Sequence, residues 1–178
     1  YPEESSSPVQ GINYLDIHDN WTLADRFALH DWDGRQGVDE AGYRIAAGML
    51  LTSLGPIVLH GGSEFMRSKG AAPLHEEYID TPAGQIHIKG REDIFNVRTP
   101  NQFQWQLVGA TPDNSSGDYA AMLTWWRGLI HFRLSEAGSV FRTADAVAPG
   151  YVDWLTPADP ALLGYIVGGR VLVLVNIG

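Results

Sequence analysis

The residues best suited to chemistry stand at the ends of two short apolar runs. Gly11-Ile12-Asn13-Tyr14-Leu15-Asp16-Ile17 leads into His18-Asp19-Asn20: an imidazole, a carboxylate and an amide in succession. A carboxylate at a strand end can act as a base, hold a metal or accept hydrogen bonds from sugar hydroxyls. The same Asp19-Asn20 pair can equally cap the turn that follows. The second run, Pro56-Ile57-Val58-Leu59, ends in His60-Gly61-Gly62-Ser63-Glu64-Phe65. His60 and Glu64 therefore stand where a strand-end site would lie, although a satisfied core histidine is the ordinary reading of His60. Asp31-Trp32-Asp33-Gly34, with Asp39 and Glu40 beyond, looks like a calcium loop. It lacks the ligand that an EF-hand needs before its glycine, which favours a solvated acidic loop. Trp21 and Trp32 in this region suit either stacking on sugar rings or loop packing. His30, His60 and His75 have no metal-ligand spacing, and Glu76-Glu77 reads as a solvated face. Phe95-Asn96-Val97-Arg98-Thr99-Pro100-Asn101-Gln102-Phe103-Gln104-Trp105 gathers amides, an arginine and aromatics. Such a set suits a polyhydroxylated ligand, bound by hydrogen bonds and stacking.

These groups need elements to position them. Ile12 to Ile17 reads as a strand, and His18 to Gly37 as a loop with a helical turn near Leu23 to Leu29. Asp39 can cap a helix reaching about Leu54, with Glu40 favourable in its first turn. Ala46, Met49, Leu50 and Ser53 fall on one helical face. Gly55 stops that helix and Pro56 prevents its continuation. Pro56 to His60 then reads as a strand buried on both faces. Strand, helix, strand is a parallel unit, and parallel barrels build active sites at the C-terminal ends of their strands. Met66 to about Ser116 is long and irregular, with a hairpin strand expected over Gln85 to Lys89. Asp118 caps a further helix with Met122, Trp126, Leu129 and Ile130 as its apolar stripe, and Gly138 as its stop. Gly168-Gly169 between Leu162–Val167 and Arg170–Val175 predicts a β-hairpin with a two-residue turn. An all-β domain thus begins near Ala148.

Composition narrows the classes. The chain has 178 residues, 44% hydrophobic, with a formal net charge of −9 and no cysteine. That is enough chain for a substantial core. With no basic patch, nucleic acid and anionic membranes are poor partners. Without cysteine there are neither disulfides nor thiolate metal sites, and the compartment stays open. No apolar run is long enough to span a bilayer. The chain opens at Tyr1 on a linker-like, Ser- and Pro-rich stretch and closes on the apolar run Val171–Ile177, so a piece of something longer is expected.

The ordered set of motifs resembles the C-terminal portion of α-amylase-family glycoside hydrolases, most closely type I pullulanases and related debranching enzymes. Ile12-Asn13-Tyr14 leading to His18-Asp19-Asn20, then Thr22-Leu23 and Asp25, resembles the family's seventh-strand motif in its debranching form. Arg44 to Leu54 with Gly55-Pro56 resembles the seventh helix and its exit. Leu59-His60-Gly61-Gly62-Ser63-Glu64-Phe65-Met66-Arg67-Ser68-Lys69 is similar to the eighth-strand motif. Asn96 and Asn101-Gln102-Phe103-Gln104-Trp105 resemble the following loop, and Trp126 to Arg133 the eighth helix. Two features depart from the pattern. Gly62-Ser63 stands where the family has a small residue and a glutamine, and Gly70 to Glu92 looks longer than the common loop.

The resemblance implies an α/β fold: the last two βα units of a (β/α)8 barrel over residues 11–147, after a linker over 1–10. A C-terminal all-β domain, the start of a β-sandwich, is implied over 148–178. It implies retaining cleavage of α-glucans, most closely the α-1,6 branch linkages of pullulan, starch or glycogen. Asp19 then matches the family's third carboxylate, a transition-state stabiliser, and His18 a histidine that hydrogen-bonds the same sugar. Asn20, Asn96, Arg98 and Asn101 are the accompanying substrate-binding candidates. In this family the nucleophile and the acid/base come from the fourth and fifth strands, which have no match here. The segment alone is therefore expected to be inactive without the N-terminal part of its barrel, since such a barrel needs roughly 250 residues. The rivals are an α-1,4-acting hydrolase or transglycosylase, and a non-catalytic carbohydrate-binding module. No cofactor is expected, and calcium is left open without a clear motif. The partner is an α-glucan, with no nucleic acid and no membrane insertion. A secreted, periplasmic or cell-surface location is favoured over the cytoplasm.

Overall fold

In the computed structural model, residues 6–70, 72, 77–88, 94, 95, 97–108 and 118–178 are described. Two compact units emerge, one built from Tyr1–Tyr14, Arg44–Val58 and Trp126–Gly178, the other from Leu15–Tyr43 and Leu59–Trp125.

Local chemistry explains the helices. α1 (Leu23–Arg26) is one turn opened by Thr22, whose hydroxyl accepts from the Asp25 N–H at 3.2 Å. α2 (Glu40–Leu51) starts where predicted: Asp39 Oδ1 accepts from the Gly42 N–H at 3.1 Å. It stops short of Leu54. The Ser53 N–H turns back to the Leu50 carbonyl at 3.2 Å, and Gly55 adopts a left-handed φ of 82°. Its buried face is Tyr43, Ala47, Leu50 and Leu51, whereas Met49 is exposed. The expected face is thus rotated, because the large Tyr43 ring takes the interior position that the aliphatic pattern gave to Ala46 and Met49. α3 (Arg98–Asn101) is a single turn. α4 (Tyr119–Leu134) is capped by Asp118, which accepts from the Ala121 N–H at 2.8 Å, and it buries Met122 and Trp126 as expected. It ends at Leu134. Gly138 lies instead inside a 3₁₀ segment, Ala137–Phe141, packed so closely that a Cβ there would meet the Phe132 carbonyl oxygen at 2.2 Å.

In the first unit, Asn13 and Ile57 form a parallel bridge. The Asn13 N–H donates to the Pro56 carbonyl at 3.0 Å, and the Val58 N–H donates to the Asn13 carbonyl at 2.9 Å. The full strands expected over Ile12–Ile17 and Pro56–His60 are reduced to this pair. Strands exist only where neighbours complete their ladders, and Ile12 is left 63% exposed. The sheet of this unit is antiparallel, in the order β3 (Val152–Leu155), β4 (Leu162–Val167), β5 (Val171–Asn176). β4 and β5 form the expected hairpin, pairing Val167 with Val171. The connection is Gly168–Arg170, one residue longer than expected. Gly168 and Gly169 take φ of 57° and 63°, and the Arg170 N–H donates to the Val167 carbonyl at 3.1 Å. Val140, Phe141, Tyr165 and Val167 form the core here, with Leu54, Phe132, Tyr151 and Val173 packed around it.

Arg133 in α4 is buried and closes the end of α2. Its guanidinium donates to the carbonyls of Leu51 and Ser53 at 2.8 Å each and to that of Gly55 at 2.5 Å. Leu51 carries one of the last carbonyls of α2, which the helix leaves without a partner, and Ser53 and Gly55 belong to the turn that follows it. Burial lowers the Arg133 pKa, and Arg142 lowers it further.

In the second unit, β1 (Glu77–Thr81) and β2 (Gly84–Ile88) form an antiparallel hairpin. This covers the strand expected from Gln85, with Lys89 outside the described residues. Among the described residues no helix is long and apolar enough to cross a membrane.

Candidate functional site

The candidate site lies in the second unit and is built on two buried carboxylates. Asp16 accepts from the Leu23 N–H at 2.9 Å and from the Ser63 hydroxyl at 2.9 and 3.1 Å, and it lies 3.4 Å from His60 Nδ1. Asp25, fully buried, accepts from the Thr22 hydroxyl at 2.8 Å, the Gly34 N–H at 3.1 Å, the Lys69 N–H at 2.9 Å and the Ser68 hydroxyl. Buried carboxylates demand such donor sets, because an unsatisfied one is costly. Together they tie the turn after Asp16 to the segment 63–69.

His60 is held between Asp16 and Arg67, with Arg67 Nη2 3.0 Å from His60 Nε2. Arg67 Nη2 also lies 3.4 Å from His60 Nδ1, so the guanidinium spans the edge of the imidazole. This is the satisfied histidine that its position suggested. Arg67 also donates to the Gly61 carbonyl at 3.3 Å and lies over the Phe103 ring at 5.7 Å. Desolvation by burial lowers its pKa, against the pull of Asp16 and Asp25. Ser63, where the family pattern has an amide, is a donor to Asp16, and its carbonyl accepts from the Tyr43 hydroxyl at 2.6 Å. Burial, reinforced by Asp16 and Glu64, holds that phenol well above its usual pKa. The Glu64 carboxylate accepts from the Gly62 N–H at 2.8 Å.

On this base stands the turn His18-Asp19-Asn20. Its side chains face outward: those of His18 and Asp19 are 61% and 54% exposed, with His18 Nε2 and Asp19 Oδ2 3.3 Å apart. Asn20 has a left-handed φ of 64°. Below the turn, Lys69 is wholly buried, and its Nζ donates to the carbonyls of His18 at 2.8 Å and Asn20 at 2.7 Å. Burial lowers the Lys69 pKa, Arg67 lowers it further, and Asp25 followed by Asp19 and Asp16 oppose the shift.

The loop 94–108 supplies the rest. Phe95 meets His18 edge to face at 5.6 Å. Phe103 and Trp105 stack at 5.1 Å, with Phe65 tilted against both. Arg98 is exposed at the start of α3. Asn101 donates its amide hydrogens to the carbonyls of Ile94 at 2.6 Å and Val97 at 2.8 Å, so these donors are engaged by the protein's own backbone. Asn96 lies outside the described residues.

The expected solvated acidic loop takes a different form. Asp33 is buried and gripped by Arg35 through Nε at 2.9 Å and Nη2 at 2.7 Å, with Gln36 at 3.2 Å. Its carboxyl is held far below the usual range, chiefly by the Arg35 hydrogen bonds, while burial works the other way. Trp32 within this loop and Trp21 before it stack on each other at 5.5 Å. Among the described residues no group of three or more His, Asp or Glu side chains is arranged to hold a metal ion.

Asp16, Ser63 and Lys69 went unassigned in the sequence. A lone carboxylate inside the apolar run Asn13–Ile17 was the available signal for Asp16, because it must find buried donors. Nothing in the spacing announced that Lys69 would reach back to residues 18 and 20.

No family model matches the chain. It is 29% identical over 167 residues to a pullulanase of Bacillus subtilis, covering 85% of this chain and 23% of that protein. Its fold matches the crystal structure of a Paenibacillus barengoltzii pullulanase, complexed with maltohexaose and alpha-cyclodextrin. That match has a TM-score of 0.63 at 26% identity and covers 98% of this chain and 24% of the other. It also matches in fold an Anoxybacillus pullulanase complexed with maltotetraose, with a TM-score of 0.64 at 20% identity over 99% of this chain and 23% of that one. The chain is thus pullulanase-like, its likeness is to glycoside hydrolases, and it spans about a quarter of the length of the relatives it matches.

Proposed function

We propose that this chain is part of a retaining α-glucan hydrolase that cleaves α-1,6 branch linkages, and that Asp19 is its transition-state-stabilising carboxylate. In this reading residues 11–147 supply the last two βα units of the barrel and residues 148–178 the start of the all-β domain. The carrying observation is the His18–Asp19 pair, outward-facing on a turn whose backbone is anchored from beneath. A carboxylate so placed can accept hydrogen bonds from two adjacent sugar hydroxyls, and such bonds strengthen as positive charge develops on the ring. His18 donates to the same ring. Asn20, Arg98 and Asn96 are the accompanying substrate-binding residues of this reading, with Asn101 holding its loop through the Ile94 and Val97 carbonyls. Retaining cleavage needs a nucleophile and an acid/base about 5 Å apart, and these come from elsewhere in the longer protein. The pullulanase likeness supports an α-glucan ligand, since the Paenibacillus relative was solved with maltohexaose and alpha-cyclodextrin.

The test is product analysis by the full-length protein on pullulan and on linear amylose. Maltotriose released from pullulan, with amylose left intact, is expected, and so is no hydrolysis by residues 1–178 alone. Cleavage of amylose with pullulan untouched would move the protein to the α-1,4-acting group. Saccharide binding without hydrolysis of either would make it a binding module.

A further inference from the structure

Asp19 is poorly restrained by its own surroundings. More than half of its side chain is open to solvent, and the side-chain partner seen for it, His18, is itself 61% exposed. Asn20 beside it holds a φ of 64°, in the left-handed region that asparagine enters more readily than most residues. The restraint comes from the main chain. Lys69 Nζ donates to the His18 carbonyl, just before the Asp19 nitrogen, and to the carbonyl of Asn20, at 2.8 and 2.7 Å. With both carbonyls held on one cation, the torsions between them, and so the direction of the Asp19 Cα–Cβ bond, are restrained too.

Lys69 is itself held at its backbone. Its backbone N–H donates to Asp25 at 2.9 Å, and the neighbouring Ser68 hydroxyl binds the other oxygen of the same carboxylate. The Gly70 N–H then donates to the Ser68 hydroxyl at 2.8 Å. Asp25 is in turn fixed by Thr22 and Gly34. A wholly buried ammonium placed on two carbonyls, with carboxylates nearby but not bonded to its tip, is an expensive way to stabilise a loop. It suits a site that must hold a carboxylate within a fraction of an ångström.

From these contacts we infer that Lys69 is a positioning residue for Asp19, aiming its carboxylate through the His18 and Asn20 carbonyls without touching substrate. The inference rests on Asp19 having the role proposed above. Misplacement of a reacting group by about 1 Å can cost about a hundredfold in rate.

The experiment is a double-mutant cycle on the full-length protein with pullulan, pairing Lys69→Met with Asp19→Asn, and with Lys69→Arg as the conservative variant. Lys69→Met is expected to lower kcat by about ten- to a hundredfold with KM nearly unchanged, and Lys69→Arg to recover part of that loss. In the Asp19→Asn background, Lys69→Met should cost little more, because the group it aims is already gone. Circular dichroism and melting check the fold of each variant. Should the Met variant fail to fold, Lys69→Gln is read against the same expectations. If Asp19→Asn is inactive while the Lys69 variant turns over at the wild-type rate, or if the two losses multiply, the positioning role is wrong and the function stands. If Asp19→Asn retains normal turnover, it is the function that fails.

Discussion

Asp16 and Asp19 share one short stretch and meet opposite fates. Asp16 is buried under donors from Leu23 and Ser63, so its lone pairs are engaged in holding the fold. Asp19 points into solvent beside His18, with its carboxylate accessible to a ligand's hydroxyls. Burial thus separates a structural carboxylate from an accessible one better than residue type does. Asp33 belongs to the first kind. Its folded pKa is depressed by Arg35 below the ordinary value of about 3.9. Its contribution to stability is therefore fully present above about pH 4 and is lost as pH falls toward the folded value. Asp33→Asn is expected to cost about 2 kcal/mol at pH 7, by urea denaturation, and the deficit should shrink between pH 4 and pH 2. A deficit of equal size at pH 7 and pH 2 would reject the charge-assisted pairing.

At the scale of elements, the helices depend on their caps and the site depends on long-range ties. Arg133 is the cap that α2 cannot supply from its own sequence. Arg133→Met is expected to lower stability by about 2–4 kcal/mol, because buried carbonyls of Leu51, Ser53 and Gly55 lose their donors together. Arg133→Lys should recover little, since one ammonium cannot reproduce the spread of a guanidinium. Thermal melts of the two variants check this, and near-wild-type melting of both would count against the cap. What was legible in the sequence follows the same division. Asp39, Asp118 and the Gly168-Gly169 turn act over a few residues, and each was readable. The run Ile12–Ile17 was not, because a strand's extent is set by partners and not by its own pattern. The face of α2 departs from its aliphatic spacing because Tyr43, Ala47 and Leu51 are buried with Leu50 while Met49 is exposed. The Lys69 clamp joins residues about fifty positions apart. No local pattern encodes it.

At the scale of the whole molecule, the antiparallel sheets, the parallel bridge and the helices of the described residues match about a quarter of a pullulanase chain. The chemistry proposed for that architecture is distributed: one carboxylate here aids bonds that are made and broken by groups elsewhere. The part proposed for Asp19 can still be isolated, because a single substitution removes it. The most direct measurement is kcat on pullulan for the full-length protein and its Asp19→Asn variant, with folding verified by circular dichroism. The account predicts a loss of at least about a hundredfold in kcat with the fold retained, as for removal of a donor or acceptor that acts mainly in the transition state. Turnover within a few-fold of wild type by the folded variant would contradict it.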